Sequence, residues 1–205
     1  MAPEKDEFLT ATFFIDCDHP AIKDKSMQLI ADIEGAKEKS IRLFYFVRDE
    51  IRYNIFTPRP TDAEFKASHV LAIREGYCAQ KGVLLVALAR TAGIPARLRF
   101  AEIKAHLTPK EMVEKRGSNI FPWHCLTELY INERWVKVTP TYDLHYCEKL
   151  GVPTVDFDGE NDAMLPSHAT DGRLHVEYLL DRGSYGDLPL EEIRKASVSW
   201  KYLKK

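Results

Sequence analysis

A cysteine stands where a turn gives way to an apolar helical segment, in the run Gly76-Tyr77-Cys78-Ala79-Gln80-Lys81. From residue 79 onward strong helix formers place apolar residues on more than one face, until Gly93 and Pro95 end the helix. A helix that is apolar around most of its circumference is buried. Because a helix N-terminus favours negative charge, a thiol there can ionise near neutral pH and attack an acyl group.

A nucleophilic cysteine needs a base from another part of the fold, and His124 is the best-placed of the seven histidines. It begins a strand-like run that ends in the turn residues 132–134, and a second strand-like run follows from Trp135. The sequence therefore predicts a β-hairpin whose first strand carries the imidazole. The structural alternative is that Cys78 is a small buried hydrophobe, since free cysteine is among the most buried residue types.

The run Gly-x-Cys-x-Gln, followed by Leu-x-x-Ala-Leu-Ala-Arg-x-x-Gly-Ile-Pro-Ala-Arg, resembles the core of the transglutaminase-like superfamily and spans Gly76 to Arg97. His124 with Glu128, then Trp135, then residues 139–141 follow in the family's order. Upstream, residues 47–53 resemble the helix and the tyrosine that precede the nucleophilic cysteine in small microbial members of the family. The resemblance covers residues 41–143.

Membership of this family implies an α+β, papain-like fold with the nucleophile at the N-terminus of a central helix packed on an antiparallel sheet. It also implies a Cys-His-Asp triad. The reaction would be acyl transfer to water, as in a peptidase or amidase, or to an amine, as in cross-linking.

The chain departs from the family at the triad carboxylate. The family usually has Asp-Pro-Thr where this chain has Thr139-Pro140-Thr141, and losing the group that orients the histidine can cost several orders of magnitude in rate. We predict that Asp143 replaces it, although an ordinary turn carboxylate is an equal alternative. Thr139 is a weaker acceptor, and Glu128 lies about 13 Å along the strand from His124.

The oxyanion of such a reaction needs hydrogen-bond donors. The backbone N–H of Cys78 at the helix start is one donor, and the resemblance assigns the second to the Tyr53 hydroxyl. A half-buried tyrosine with its hydroxyl at the surface is the alternative. The predicted site is thus Cys78, His124 and Asp143 as catalytic residues, with Tyr53 at the oxyanion.

The N-terminal half carries further local signals. Residues 9–15 predict a short strand or extended arm, and Pro20 stands in the first turn of a helix. Ser40 is predicted to cap the next helix. The proline-rich residues 56–61 are predicted to form a loop that borders the cleft.

The C-terminal half is predicted to wrap the core. Residues 104–122 are an insertion that we expect to act as a lid or a substrate-selecting wall. Loop follows Asp143 until a strand over 174–180 and a helix over 188–196. We therefore expect one domain over residues 1–205, with a core at 41–143 and an extension at 144–205.

Composition and charge limit the classes of binding partner that we expect. A net charge of −2 gives no reason to expect nucleic acid or an anionic membrane, and no apolar stretch approaches the roughly 18 residues of a membrane span. The charged N-terminus lacks the order of a signal peptide, so we expect a cytoplasmic protein with its four cysteines reduced. There is no Cys-x-x-Cys and no His-Glu-x-x-His, so neither metal nor other cofactor is predicted.

The sequence thus favours a cysteine hydrolase that acts on a peptide, a protein or a small amide. Two alternatives stay open. The first is a papain-like binding module that has lost activity together with the triad carboxylate, and the second is a protein-glutamine amine transferase. The oligomeric state is not predicted.

Overall fold

The structure, a computed structural model, describes residues 5–196. The first four residues of the charged N-terminus and the extension beyond Ala196 lie outside this range. The helices are α1 (Pro20–Ile30), α2 (Ala36–Glu50), α3 (Ala67–Ile73), α4 (Cys78–Thr91), α5 (Lys110–Arg116), α6 (Leu144–Leu150) and α7 (Leu190–Ala196). The strands are β1 (Arg52–Tyr53), β2 (Glu75–Gly76), β3 (Ala96–Ala105), β4 (Ile120–Ile131), β5 (Arg134–Val138) and β6 (Val176–Tyr185).

The central helix α4 lies between a helical layer and a sheet. Strands β5, β4, β3 and β6 form an antiparallel sheet in that order, and α4 packs against β3 and β4. Helices α1, α2 and α3 contact α4 as well. Because neighbours surround it, every residue of α4 from Ala79 to Arg90 is buried. The α+β arrangement with a central helix on an antiparallel sheet is confirmed.

The predicted hairpin is formed by β4 and β5. Ile131 pairs with Arg134, and the two residues between them, Asn132 and Glu133, have φ of 48° and 65°. Positive φ at both central residues is the conformation of a two-residue turn whose twist matches that of the strands. This turn fixes the register of the strand that carries His124.

A short parallel ladder joins β1 to β2 and places Tyr53 opposite Gly76, two residues before Cys78. Only glycine fits at position 76, because any side chain there would collide with Gln80. A Cβ at this position would lie 2.9 Å from the Cβ of Gln80, closer than side chains approach. The close approach at Gly76 is thus to the first turn of the helix that follows it.

Some local predictions are wrong. Residues 9–15 contain no strand: Leu9 ends a 3-10 helix over Lys5–Leu9, and the carbonyl of Phe14 accepts a hydrogen bond from the N–H of Ala67. Ser40 does not cap a helix, because α2 begins four residues earlier and buries Ser40 inside it. The predicted loop after Asp143 starts with α6, which Asp143 caps by accepting from the N–H of Tyr146.

Other local predictions agree with the structure. The helix that begins at Pro20, the strand in the extension (β6) and the final helix α7 are all present. The insertion contains α5. Within the described range no helix is both long and apolar enough to cross a membrane.

Candidate active site

Cys78 is the first residue of α4, and the side chain of Gln80 fixes the turn that presents it. Gln80 accepts a hydrogen bond from the backbone N–H of Tyr77 at 3.3 Å and donates to the carbonyl of Glu64 at 2.9 Å. Gln80 is fully buried, whereas Cys78 stays partly exposed. Two hydrogen bonds of a buried side chain therefore hold the turn at Cys78, and the residue as a whole is partly exposed.

The start of α4 adjoins the segment of β4 that carries His124. The backbone N–H of Cys125, the residue after His124, lies close enough to the Cys78 sulfur to lower its pKa. One turn further along α4, a Cβ at Gly82 would lie 2.8 Å from Sγ of Cys125. Helix and strand are thus packed as closely as a glycine allows. The structure brings the chain segments of Cys78 and His124 together, as predicted.

Burial works against ionisation of the thiol. Desolvation raises the pKa of Cys78, and the N–H groups of Cys125 and Ala79 and the guanidinium of Arg59 offset only part of this rise. A helix N-terminus alone therefore does not lower the pKa as the sequence predicts. The difference arises because a buried thiolate loses its hydration.

His124 is nearly enclosed, at 4 % exposure. Burial, with a smaller contribution from the nearby His175, lowers its pKa to about 3. Its Nε2 atom is buried and has no hydrogen-bond partner among the described residues. The ring of Tyr178 lies edge-on to the imidazole, with 6.1 Å between the ring centroids. The resting imidazole is thus neutral, with an unoccupied nitrogen.

Thr139, at the family's carboxylate position, is completely buried. Its N–H donates to the carbonyl of Ala163 at 2.9 Å. Burial raises the pKa of Tyr178 to about 12, and the Leu165 N–H and the Thr139 hydroxyl oppose part of this rise. The Thr139 and Tyr178 hydroxyls are therefore close, although Oγ1 of Thr139 has no hydrogen bond of standard geometry within the described chain. Tyr178 lies between Thr139 and His124.

The structure places Asp143 at Tyr53. One carboxylate oxygen accepts from the Tyr53 N–H at 2.6 Å and the other from the Tyr146 N–H at 2.8 Å. None of the hydrogen bonds found within residues 5–196 joins Asp143 to His124. These contacts explain Asp143 as a cap and an anchor, and they do not support its predicted role of orienting the imidazole.

Glu128, the other carboxylate considered, is bound elsewhere. Its oxygens accept from Arg97 at 2.6 Å, from Arg99 at 2.9 Å and from the Ser184 hydroxyl at 2.6 Å. The pair Arg97 and Arg99 lies on β3 opposite β4. Glu128 therefore belongs to an ion-pair network of the sheet.

Tyr53 lies beside the nucleophile. Burial raises its pKa well above the usual value, and Tyr142 and the Cys78 thiol add to the rise. The rings of Tyr142 and Tyr146 pack edge-on against it, at centroid distances of 4.9 and 4.6 Å. Cys78 and Tyr53 are thus within electrostatic reach, as the oxyanion prediction requires.

Sequence reasoning missed two buried cations. Lys81 is completely buried and donates to the carbonyls of Arg48 at 3.0 Å and Ile51 at 2.6 Å, which end α2. Burial lowers the pKa of Lys81 to about 7. A lysine inside an otherwise apolar helix was a usable signal for it. Arg59 is the second, in the proline-rich loop, and its isolated position in a loop gave no such signal.

The insertion at residues 104–122 approaches Tyr53. Burial lowers the pKa of Arg116, at the end of α5, and the nearby Tyr53 hydroxyl raises it. The Arg116 guanidinium also lies 4.2 Å from the ring centroid of Phe121. As for metals, residues 5–196 contain no cluster of three or more His, Cys, Asp or Glu side chains suited to an ion.

Comparison with known families gives a match over most of the core. The profile of the transglutaminase-like superfamily matches residues 24–140, which is more than half of the 205 residues. It includes Cys78, His124 and Thr139. No curated protein matches the sequence.

Two solved structures resemble the fold. A candidate cysteine protease from Cytophaga hutchinsonii has a TM-score of 0.57 and 17 % identity, over 91 % of this chain and 48 % of that one. The periplasmic domain of TgpA from Pseudomonas aeruginosa, bound to ethylmercury, has a TM-score of 0.50 and 22 % identity, over 71 % of this chain and 51 % of that one. The chain spans about half the length of these structures. At such identities the likeness establishes the fold alone.

The profile match and the observed site point the same way. A partly exposed cysteine begins the central helix, and a buried histidine lies on the strand segment packed against it. Together they support a cysteine-dependent enzyme in general terms. The chain belongs to the transglutaminase-like superfamily.

Proposed function

We propose that the protein is a cysteine hydrolase that cleaves an amide or peptide bond through a thioester on Cys78. The observation that carries this proposal is the packing of the first turn of α4 on β4. There the N–H of Cys125 lies near the Cys78 sulfur, and the adjacent His124 keeps Nε2 free of hydrogen bonds to described residues. A nucleophile and a base from separate elements are thereby held together.

The proposed reaction begins with a neutral thiol and a neutral imidazole. His124 takes the thiol proton on a ring nitrogen as the sulfur attacks the carbonyl carbon. The negative charge passes to the carbonyl oxygen, which the Cys78 N–H and the Tyr53 hydroxyl stabilise. When the C–N bond breaks, the imidazolium gives its proton to the leaving amine.

Release of the acyl group follows the same path. The neutral His124 removes a proton from water, whose oxygen attacks the thioester. The carboxylic acid leaves, and the thiol regains its proton from the imidazolium. Hydrolysis is proposed over cross-linking because water needs no binding site of its own, whereas an amine acceptor does.

An imidazole whose pKa is about 3 is neutral at physiological pH, so its ring nitrogen is free to accept a proton, but it is a weak base in the resting site. The charge that forms on the sulfur or the oxyanion favours the imidazolium during the reaction. Proton transfer and nucleophilic attack are then expected to occur together.

The insertion is proposed as a wall of the substrate site. Arg116 on α5 lies within electrostatic reach of Tyr53, so the insertion covers the side on which the oxyanion would form. Its shape would then restrict the acyl group. The substrate class is a peptide, a protein segment or a small amide.

The test is turnover of a panel of peptide and aryl amides by wild type, Cys78→Ala and Cys125→Ala. Cys125→Ala is the matched control because it removes a buried thiol next to His124 and leaves the nucleophile. We expect turnover by wild type and Cys125→Ala, and none above background by Cys78→Ala. Equal turnover by wild type and Cys78→Ala would end the proposal.

The acceptor is tested in the same panel by adding a primary alkylamine. A hydrolase releases mainly the free acid, whereas an amine transferase releases the amide of the added amine. Predominant amide formation would favour the cross-linking alternative. Absence of both products, with an unreactive Cys78, would favour the binding module.

A further inference from the structure

Arg59 is a buried cation at the beginning of the nucleophile helix. It lies in the loop between β1 and α3 and is only 7 % exposed. Its guanidinium lies 4.4 Å from the ring centroid of Tyr77, the residue that precedes Cys78 and caps α4. One nitrogen donates to the carbonyl of Ile55 at 3.2 Å. Stacking and this bond hold the charge at the helix start.

The charge of Arg59 acts on the thiol. Burial lowers the pKa of Arg59, and the nearby Tyr77, Cys78 and Tyr53 raise it. Conversely, Arg59 is the charged side chain that most opposes the burial-induced rise in the pKa of Cys78. An arginine stays protonated at any ordinary pH, so its charge is permanent.

The other titratable side chains facing the thiol do not supply a positive charge. Burial raises the pKa of each of the following: Tyr53, Tyr77, Tyr142, Tyr178 and Cys125. They are therefore neutral below about pH 10. Burial also keeps the imidazole of His124 neutral, with a pKa of about 3.

The charge of Arg59 matters because Thr139 stands where the family usually has an aspartate. In a triad, the carboxylate stabilises the imidazolium that forms when the nucleophile loses its proton. Thr139 offers only a hydroxyl, and Asp143 is bound to two backbone N–H groups. A buried thiolate without a compensating cation would be costly.

We propose that Arg59 is the counter-ion of the Cys78 thiolate, so that a permanent cation at the start of α4 stabilises the sulfur anion in a site where Thr139 stands at the carboxylate position. The thiol proton still passes to His124. Arg59 lowers the energy of the sulfur anion that remains. The inference rests on Cys78 being the nucleophile of the proposed function.

The test is the pH dependence of iodoacetamide labelling at Cys78, resolved from the other cysteines by peptide mass spectrometry. It compares wild type, Arg59→Gln, Arg59→Lys and Arg97→Gln. Arg97 is the matched control, because its half-buried guanidinium lies 4.0 Å from the ring centroid of Trp135 and belongs to the ion-pair network of Glu128, outside the proposed site. We expect Arg59→Gln to raise the labelling midpoint by about one pH unit or more. Arg59→Lys should keep most of the wild-type value, and Arg97→Gln should leave it unchanged.

An unchanged midpoint in Arg59→Gln overturns the proposal, as does an equal rise in Arg97→Gln. Labelling with iodoacetate, an anionic reagent, tests whether Arg59 attracts anionic ligands instead of stabilising the thiolate. If Arg59→Gln slows iodoacetate but leaves the iodoacetamide midpoint in place, Arg59 attracts anionic ligands and is not the counter-ion. If Arg59→Gln fails to fold, Arg59→Lys decides alone, and a rise of about one unit in that variant contradicts the proposal.

Labelling needs no turnover, so the two proposals fail separately. A shifted midpoint in a protein that hydrolyses nothing supports the counter-ion and counts against the hydrolase. Turnover that depends on Cys78, with an unshifted midpoint, supports the hydrolase and removes the counter-ion.

Discussion

The carboxylate of Asp143 accepts a 2.6 Å hydrogen bond from the backbone N–H of Tyr53, a residue 90 positions earlier in the chain. The same side chain caps α6 through Tyr146. One carboxylate therefore joins the start of α6 to the strand that presents the proposed oxyanion donor. Asp143 therefore contacts the segment of Tyr53 and not His124.

Replacement of Asp143 by alanine is expected to remove a helix cap and the acceptor of the Tyr53 N–H. We expect the free energy of unfolding to fall by about 1–3 kcal/mol. Asp143→Asn keeps one acceptor oxygen and should lose less. Urea denaturation measures both, and an Asp143→Ala protein as stable as wild type would contradict the assigned contacts.

Gly82→Ala is expected to destabilise the protein because the new methyl group would lie 2.8 Å from Sγ of Cys125. Overpacking of this kind costs about 1–3 kcal/mol. Cys125→Ala removes the opposing sulfur, so the double variant should recover much of that loss. Denaturant unfolding of wild type, Gly82→Ala, Cys125→Ala and the double variant gives the coupling free energy between the two positions. Strictly additive effects would show that the two residues do not touch.

Lys81 predicts a pH-dependent contribution to stability. Burial lowers its pKa to about 7 in the folded chain, whereas an unfolded lysine titrates near about 10.4. The unfolded state therefore binds more protons between these values. The contribution of Lys81 to the free energy of unfolding rises with pH in this window, by up to about 1.4 kcal/mol per unit.

The measurement compares wild type with Lys81→Met by denaturation at several pH values from 7 to 9.5. The comparison is necessary because buried thiols such as Cys125 have raised pKa values, which reduce stability at alkaline pH in both proteins. The free energy of unfolding of wild type should rise relative to that of Lys81→Met as the pH rises. A difference that stays flat throughout the range would show that Lys81 titrates normally in the folded chain.

Thr139→Asp restores the carboxylate that the family usually has. We expect the pKa of His124 to rise from about 3 by about 1–3 units, since Thr139 and His124 both adjoin Tyr178. Stability should fall because the site is fully buried. Thr139→Asn, of the same shape without the charge, is the control. An imidazole titration, followed by NMR, that does not move in Thr139→Asp would place residue 139 away from the base.

The core was predictable from the sequence because local and long-range signals agree there. The apolar run after Cys78, the stop at Gly93 and the turn residues 132–134 predict α4, β3 and the hairpin, whereas the pairing of Cys78 with His124 is what the family resemblance implies. The sequence predicts loop after Asp143 because prolines and glycines recur from Pro153 onward, and this pattern hides the short helix α6 that precedes them. Gln80 and Lys81 look like a polar helix entrance in the sequence, yet both are buried.

The electrostatics of the site could not be predicted. A helix N-terminus favours a thiolate, but burial acts in the opposite direction and is larger at Cys78. Burial depends on tyrosines from distant segments, such as Tyr142 and Tyr178, that nothing in the local sequence assigns to the site. Arg59 was missed for the same reason. The cytoplasmic location stays a prediction.

The most direct test of the central claim is to map the acyl group after reaction with an activated ester and an acid quench, by peptide mass spectrometry. The claim predicts a thioester on Cys78 in wild type and in Cys125→Ala, and none at that position in Cys78→Ala. In His124→Ala, acylation of Cys78 should be slower by about 10²-fold or more. Acylation of a different cysteine, or of Cys78 at the same rate without His124, would contradict the account.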